Sequence, residues 1–533
     1  MEKSVIYILT LVLCNVQSKV ISNDDHLPQV SDNIINKDDS KAIPAVHIEL
    51  PVYKELVVNI TAEKKVGQEP KRNVTKVLDE KNKTLIQLCS NRSLETLENE
   101  IFNDEIINCE VPIIDNGTAL ILTPYIENGQ IKEAREASRV NSDIFLGVES
   151  YSGFFTVNKT YDSNIFFWYF PVQSKPVNET PWIIWLQGGP GASSMTGLFD
   201  EIGPFKISPG GDLKLNPYTW LQNHSLIFID NPVGTGYSFT QQVDGFSRNM
   251  ATYGSNLYKT IHQFLEVFQE LKSAPLYVAG ESYGGKYVPA LAMEIHNHRN
   301  DPGVNINLEG IMVGNPYVDP SIITRVTDSF YYFGLLNQEQ KWTSLIAVIL
   351  FLSHQKQAYN FLKDDLLVGR YMNFLKTSEV KKAIHVGDIH FSFVNLTVNS
   401  KMSEDFLSSA KPLYEELLEH YKVLAGQLDQ MLPCVFTSEH YRTWKWNGTS
   451  EFLEATRYPY LFNTKLAGYH KTGGHLTEVV IRGAGHMVPV DEPAPIQTLV
   501  ARWTHNKPLS RRFGSLEGSY LQEFVKNNSI IYL

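Results

Sequence analysis

Cysteine is scarce in this chain, with four in 533 residues. That excludes a disulfide-stapled scaffold. Cys14 lies in an apolar N-terminal run, Cys89 and Cys109 could pair, and Cys434 is then left odd, so stability must come from a packed core. Basic charge is also short: 47 Lys and Arg against 58 Asp and Glu leave a formal net charge of −11. Such a balance argues against nucleic acid as a partner. Long hydrophobic runs are missing. Val5–Cys14 and the internal run Leu345–Leu352 both fall well short of the roughly 20 apolar residues that cross a bilayer. No cluster with metal-ligand spacing appears, and no phosphate-cradling glycine loop precedes a suitable lysine, so neither a metal nor a cofactor is implied.

The N-terminus reads as a secretory leader over 1–18. A short flank holding Lys3 precedes the apolar run, and Val16-Gln17-Ser18 offers a cleavage site. Sequons at Asn59, Asn73, Asn82, Asn91, Asn116, Asn158, Asn178, Asn223, Asn395, Asn447 and Asn527 agree with a glycosylated, secreted route. Residues 19–117 are polar and sequon-rich and read as a weakly structured extension. From 118 to 533 the composition changes to aromatic and β-branched residues, which predicts the folded domain.

Within that domain, Ser150–Thr160 and Asn164–Val172 predict a hairpin. WIIWLQGG (from Trp182), SLIFIDNP (from Ser225), PLYVAG (from Pro275), LEGIMVGN (from Leu308), YKVLAG (from Tyr421) and TEVVIRGAGH (from Thr477) predict buried strands. Amphipathic stretches such as Tyr253–Leu271 and Lys286–His298 lie between them. The alternation predicts an α/β fold with a mostly parallel central sheet covered by helices. Residues from about 321 to 410 lack core strands and predict a helical cap insertion.

The apolar run Leu276–Ala279 leads into Gly280-Glu281-Ser282-Tyr283-Gly284, a G-x-S-x-G match followed by a helical pattern. The spacing alone is weak, since about one chain in five of this length carries it by chance. Strand, sharp turn and helix form the setting of a nucleophile elbow. The bland alternative is a strand–helix loop with a capping serine. A serine hydroxyl needs a base, and the base needs an orienting carboxylate. Fifteen histidines compete; His486, in GAGHMVP after a strand, has small neighbours that leave its ring accessible. Asp429, in GQLD after YKVLAG, falls between Ser282 and His486, the order serine, acid, histidine of α/β hydrolases, although an isolated loop aspartate is commonly a turn residue. WLQGGPGASS (from Trp185) offers backbone N–H groups to a substrate oxygen.

Together, WLQGGPGASS, IDNPVGTGYSF, GESYGGKYVP, GNPYVDP, GQLD and RGAGHMVPVDEP resemble, in order and spacing, the signature blocks of the serine carboxypeptidases. LTPYIENGQI and VNKTYDSNIFFWYFP are similar to the vitellogenic and venom branch. The likeness runs from about Leu122 to about Pro508. It implies an α/β-hydrolase fold, with Ser282 as nucleophile, His486 as general base and acid, and Asp429 as the orienting carboxylate. It implies an oxyanion hole from the N–H groups of Gly189 and Tyr283. It further implies that Gln187, the Gly188 N–H, Glu281 and Glu201 grip the terminal carboxylate of a peptide or protein substrate through a shared proton, with hydrolysis favoured at acid pH. Departures are Gln187 where most relatives have asparagine, Ala192 where many have a cysteine, a short cap with the unusual segment Lys341–His354, and a short strand before Asp429. An esterase or acyltransferase on the same scaffold, or a secreted binding protein with little turnover, are the competing expectations.

Overall fold

The computed structural model describes residues 115–303, 305–332, 337–338, 369–426, 432 and 434–509. The leader, most of the extension with Cys89 and Cys109, the sequons Asn59, Asn73, Asn82, Asn91 and Asn527, the segment Lys341–His354 and Asp429 lie outside the described residues.

Twelve strands are described: β1 (Tyr151–Asn158), β2 (Ser163–Phe170), β3 (Trp182–Leu186), β4 (Phe205–Ile207), β5 (Leu213–Leu215), β6 (Ser225–Ile229), β7 (Leu276–Glu281), β8 (Leu308–Gly314), β9 (Lys422–Gly426), β10 (Tyr458–Phe462), β11 (Lys465–Gly473) and β12 (Leu476–Ile481). Ten form one sheet in the order β1-β2-β6-β3-β7-β8-β9-β12-β11-β10, and β4 pairs with β5. The centre, from β6 to β12, is parallel, and antiparallel strands extend both edges. The expected hairpin is β1–β2, joined antiparallel with Tyr151 opposite Tyr169.

Parallel strands are buried on both faces, so their apolar runs feed two cores alternately. Ile184, Ile227, Val278 and Ile311 enter one core; Ile183, Phe228, Tyr277 and Met312 enter the other. The first core is closed by α1 (Met250–Val267) and α2 (Gly284–Asn297), through Leu257, Ile261, Phe264, Val288, Leu291 and Ile295. α1 starts where the Asn249 side chain accepts the Thr252 N–H, a cap that serves one of the helix's orphan donors. Phe264 packs against Phe167, Tyr169 and Trp182. Each such ring contributes about 1.5–3 kcal/mol by leaving water.

α2 contains Pro289, which has no N–H to give the carbonyl of Gly285. The Tyr414 hydroxyl, on α3 (Lys411–Leu417), donates to that carbonyl instead at 2.8 Å. The helix tolerates its proline because a neighbouring element supplies the missing donor. α4 (Pro493–Thr504) covers the second core with Leu499, Val500 and Trp503.

The described part of the cap consists of short helices: Pro320–Thr324, Val326–Tyr332, Tyr371–Leu375, Ser378–Ala383, Leu396–Lys401 and Ser403–Phe406. The last is tied to the sheet domain by a buried polar knot. The Asp405 carboxylate accepts from the hydroxyls of Tyr283 (2.7 Å) and Tyr253 (3.1 Å) and from the Met250 N–H (3.0 Å). Lys286, fully buried on α2, donates to the carbonyls of Asp405 and Ser408. Buried charges are tolerated when paired and hydrogen-bonded in this way.

Candidate active site

The register of the parallel strands sets the site. Glu281 on β7 lies beside Gly314 on β8, Gly314 beside Gly426 on β9, and Gly426 beside Val479 on β12. Loops leaving these four strands therefore emerge along one end of the sheet, where open α/β sheets place their ligands. Ser282 follows β7 and His486 follows β12. The loop after β9, which carries Asp429, begins where the described residues stop.

Ser282 has φ = +58°, a left-handed conformation that an L-residue with a side chain adopts only under constraint. Three backbone hydrogen bonds impose it: its N–H donates to the Gly314 carbonyl (3.0 Å), and its carbonyl accepts from Tyr317 (2.8 Å) and Gly285 (2.9 Å). The flanking glycines are needed because β3 ends against the turn. A Cβ on Gly280 or Gly284 would stand 2.6 or 2.7 Å from the Leu186 carbonyl oxygen. The capping alternative fails, because no side chain caps the N-terminus of α2.

The glycine loop after β3 lies directly over this corner. A Cβ on Gly188 would fall 2.5 Å from the Tyr283 nitrogen and 2.7 Å from the Ser282 Cβ. The backbone around Gly188 and Gly189 is thus brought against the start of α2, where leading amides lack intrahelical acceptors and the helix dipole favours negative charge. Gly188→Ala must push this loop off the corner. We expect it to slow labelling of Ser282 by a fluorophosphonate by about 100-fold, measured against the native rate; an unchanged rate would show that the close approach is immaterial.

Asp230, at the end of β6, holds the loop's far side. Its carboxylate accepts from the Ser193 hydroxyl (2.6 Å), the Ser194 N–H (2.9 Å) and the Tyr237 N–H (2.9 Å). Burial pushes this carboxyl up to about 6, against the pull of those donors. Gly236 must be glycine here, since a Cβ would lie 1.9 Å from Asp230 Oδ2. An extended segment adds a second clamp: Ser193 N–H donates to Phe393, and Asn395 N–H to Gly191. Ala192 lies in this clamp, bridged to Val394.

Beside the corner lies a buried acidic pair. Glu281 and Glu201 are each almost wholly enclosed, with relative exposures of 2% and 1%. Gln187 Nε2 donates to Glu281 Oε1 at 3.2 Å, while Trp185 Nε1 donates to Gln187 Oε1 at 2.8 Å. The indole thereby fixes which end of the amide faces the carboxyl. Burial raises the Glu201 carboxyl above the usual carboxylate range, and the nearby charge of Asp200 adds to the effect. Glu281, Gln187 and His486 pull it the other way. Burial is the largest of these influences, so it prevails, and the pair keeps one proton most easily at Glu201.

His486 is buried near Glu201. Its loop is fastened by Asn315, whose Nδ2 donates to the carbonyls of Gly485 (2.8 Å) and His486 (2.7 Å). Asn315 directly follows Gly314, which receives the Ser282 N–H. Adjacent residues at the end of β8 therefore hold both loops. The structure brings Ser282, Tyr283, Gly188, Gly189, Gln187, Glu281, Glu201 and the His486 loop to one end of the sheet. Sequence reasoning missed Asp230, Asn315, Asp405 and Lys286 as positioning residues. Asp230, Asn315 and Lys286 lie within quoted motif blocks, which was the available signal.

The sequons Asn116, Asn158, Asn178, Asn223, Asn395 and Asn447 are at least partly exposed. Asn395 is the most engaged, donating Nδ2 to the Gly234 carbonyl and capping the helix Leu396–Lys401. Among the described residues no helix is long and apolar enough to cross a membrane.

A family model described as serine carboxypeptidase matches residues 141–361 and 351–506. The vitellogenic carboxypeptidase of Aedes aegypti is 39% identical over 434 residues, covering 74% of this chain and 92% of that protein. The venom serine carboxypeptidase of Apis mellifera is also 39% identical, with the same coverage. The probable serine carboxypeptidase CPVL of Homo sapiens is 37% identical over 436 residues, covering 74% and 91%. Among solved structures, a prohormone-processing carboxypeptidase from Saccharomyces cerevisiae aligns with a TM-score of 0.62 at 22% identity, covering 70% of this chain and 96% of that one. That likeness bears on the fold, which is the α/β-hydrolase fold.

Proposed function

This chain belongs to the serine carboxypeptidase family, and on that premise we propose that it releases C-terminal residues from peptides and proteins through an acyl-enzyme on Ser282, most readily at acid pH. The Ser282 oxygen attacks the carbonyl carbon of the last peptide bond. His486 takes the hydroxyl proton and passes it to the departing amino group. Water then attacks the acyl-enzyme, with His486 again as base. Asp429 orients the imidazole in this reading. The N–H groups of Gly189 and Tyr283 receive the developing oxyanion.

A substrate's terminal carboxylate lies against Gln187, the Gly188 N–H and the Glu281–Glu201 pair, which donates through its retained proton. The observation that carries this reading is the buried acidic pair beside a serine forced into left-handed backbone. A secreted route fits the relative named for venom, and a lysosome-like acidic compartment would suit the shared proton of the acidic pair.

The test is chemical. A fluorophosphonate should label the purified protein at Ser282 and leave Ser282→Ala unlabelled. Failure of the native protein to react would favour a binding protein without turnover.

A further inference from the structure

At the far end of α2 from Ser282, about 18 Å along the helix axis, two histidines and a glutamate converge. His296 is on the last turn of α2, Glu416 is on the last turn of α3, and His420 is four residues on, in the turn that follows α3. Glu416 Oε1 lies 3.4 Å from His420 Nε2 and 4.0 Å from His296 Nε2. One donor atom from each of the three residues can be chosen so that all lie within 4.8 Å of one another. We propose that these side chains bind a divalent transition-metal ion of the Zn²⁺ type, pinning the end of α2 to the turn that enters β9.

The donor set is two imidazoles and one carboxylate, a combination suited to zinc with a fourth position left to water. Tetrahedral coordination wants donors about 3.3 Å apart. Glu416 and His420 are half-exposed and can close the remaining gap by side-chain rotation. His296 is the fixed member. It is buried, and its Nδ1 lies 3.1 Å from the Tyr421 hydroxyl. With Nδ1–H donating to Tyr421, the Nε2 lone pair faces Glu416, which is how ligating histidines are usually oriented. Burial, with Arg299 and His420 nearby, also keeps this imidazole neutral more readily. Arg299 itself is held on the His296 carbonyl at 2.6 Å.

The linear sequence gave no ligand spacing, because His296 lies on a different element from the Glu416–His420 pair. The absence of a metal cluster expected from sequence is thus revised by this proposal.

The test uses the full chain without a histidine tag, stripped with a chelator and titrated with ZnCl₂ by calorimetry. One equivalent should bind and raise the thermal midpoint. His420→Ala and Glu416→Gln, both at exposed positions, should weaken that binding at least tenfold while leaving peptide hydrolysis unchanged. Co²⁺ should give the intense visible bands of tetrahedral coordination without a thiolate charge-transfer band, which excludes Cys434. No uptake by the native chain, or equal uptake by both variants, would overturn the proposal.

Discussion

Replacing Ser282 by alanine should lower kcat for a blocked dipeptide on the order of ten-thousandfold or more, with little change in KM. The substituted hydroxyl is the atom proposed to form the covalent intermediate, and alanine has no nucleophile to replace it. The fold should survive. Alanine meets the same left-handed backbone as serine, and the three hydrogen bonds that impose it are all to the backbone. A thermal midpoint close to that of the native protein would separate lost chemistry from lost structure. His486→Ala should be about as damaging, and the double variant little worse than either, because the groups act as a unit. A Ser282→Ala protein retaining a tenth of native kcat would place the nucleophile elsewhere.

The second large effect is on substrate affinity. KM for the same dipeptide should rise steeply as pH rises through the elevated pKa of Glu201, with a limiting slope of about tenfold per pH unit for loss of one proton. The sign follows from the burial of the pair. A carboxyl held above its ordinary value keeps its proton in the folded protein at acid pH and loses it as pH rises through the raised value. With the proton present, the pair donates to the substrate carboxylate; without it, like charges meet. The same linkage makes this residue cost folding stability above the ordinary carboxylate range, since ionising it while buried is unfavourable. Glu201→Gln should flatten the KM profile between about pH 5 and about pH 8. A native profile already flat over that window would remove the shared proton from the account.

How much of this was legible in the sequence depended on the range of the interactions. The elbow was readable because strand, glycines and helix are contiguous, and the strained φ is a local property of that turn. The central strands were readable because burial on both faces demands unbroken apolar runs. The hairpin β10–β11 was missed. It sits at the sheet edge, its exposed Tyr458 and its Pro459 blur the strand pattern, and Tyr469 also faces solvent.

The buried polar residues were harder still. Asp230 acts across 36 and 37 residues, Asn315 across 170 and 171, and Asp405 across 122 to Tyr283. Asp230 and Asn315 stand in quoted motif blocks, but nothing in those blocks names their partners, and Asp405 lies outside any block. Their role appears only when the sheet order brings β6, β8 and the cap beside the serine. Burial of Glu201 and Glu281 was likewise implied only by family likeness, since two isolated glutamates read as surface groups until their exposure is known.

The central claim is that a buried acidic pair recognises a free terminal carboxylate beside a reactive serine. It is tested most directly by comparing kcat/KM for a blocked dipeptide with that for its C-terminal amide, at acid pH, on the same protein. The free acid should be hydrolysed far faster, by about 100-fold or more, since the amide leaves the pair's polar groups unmatched. Equal rates for the free acid and its amide would contradict the account and point to a hydrolase on the same fold that does not read a terminal carboxylate.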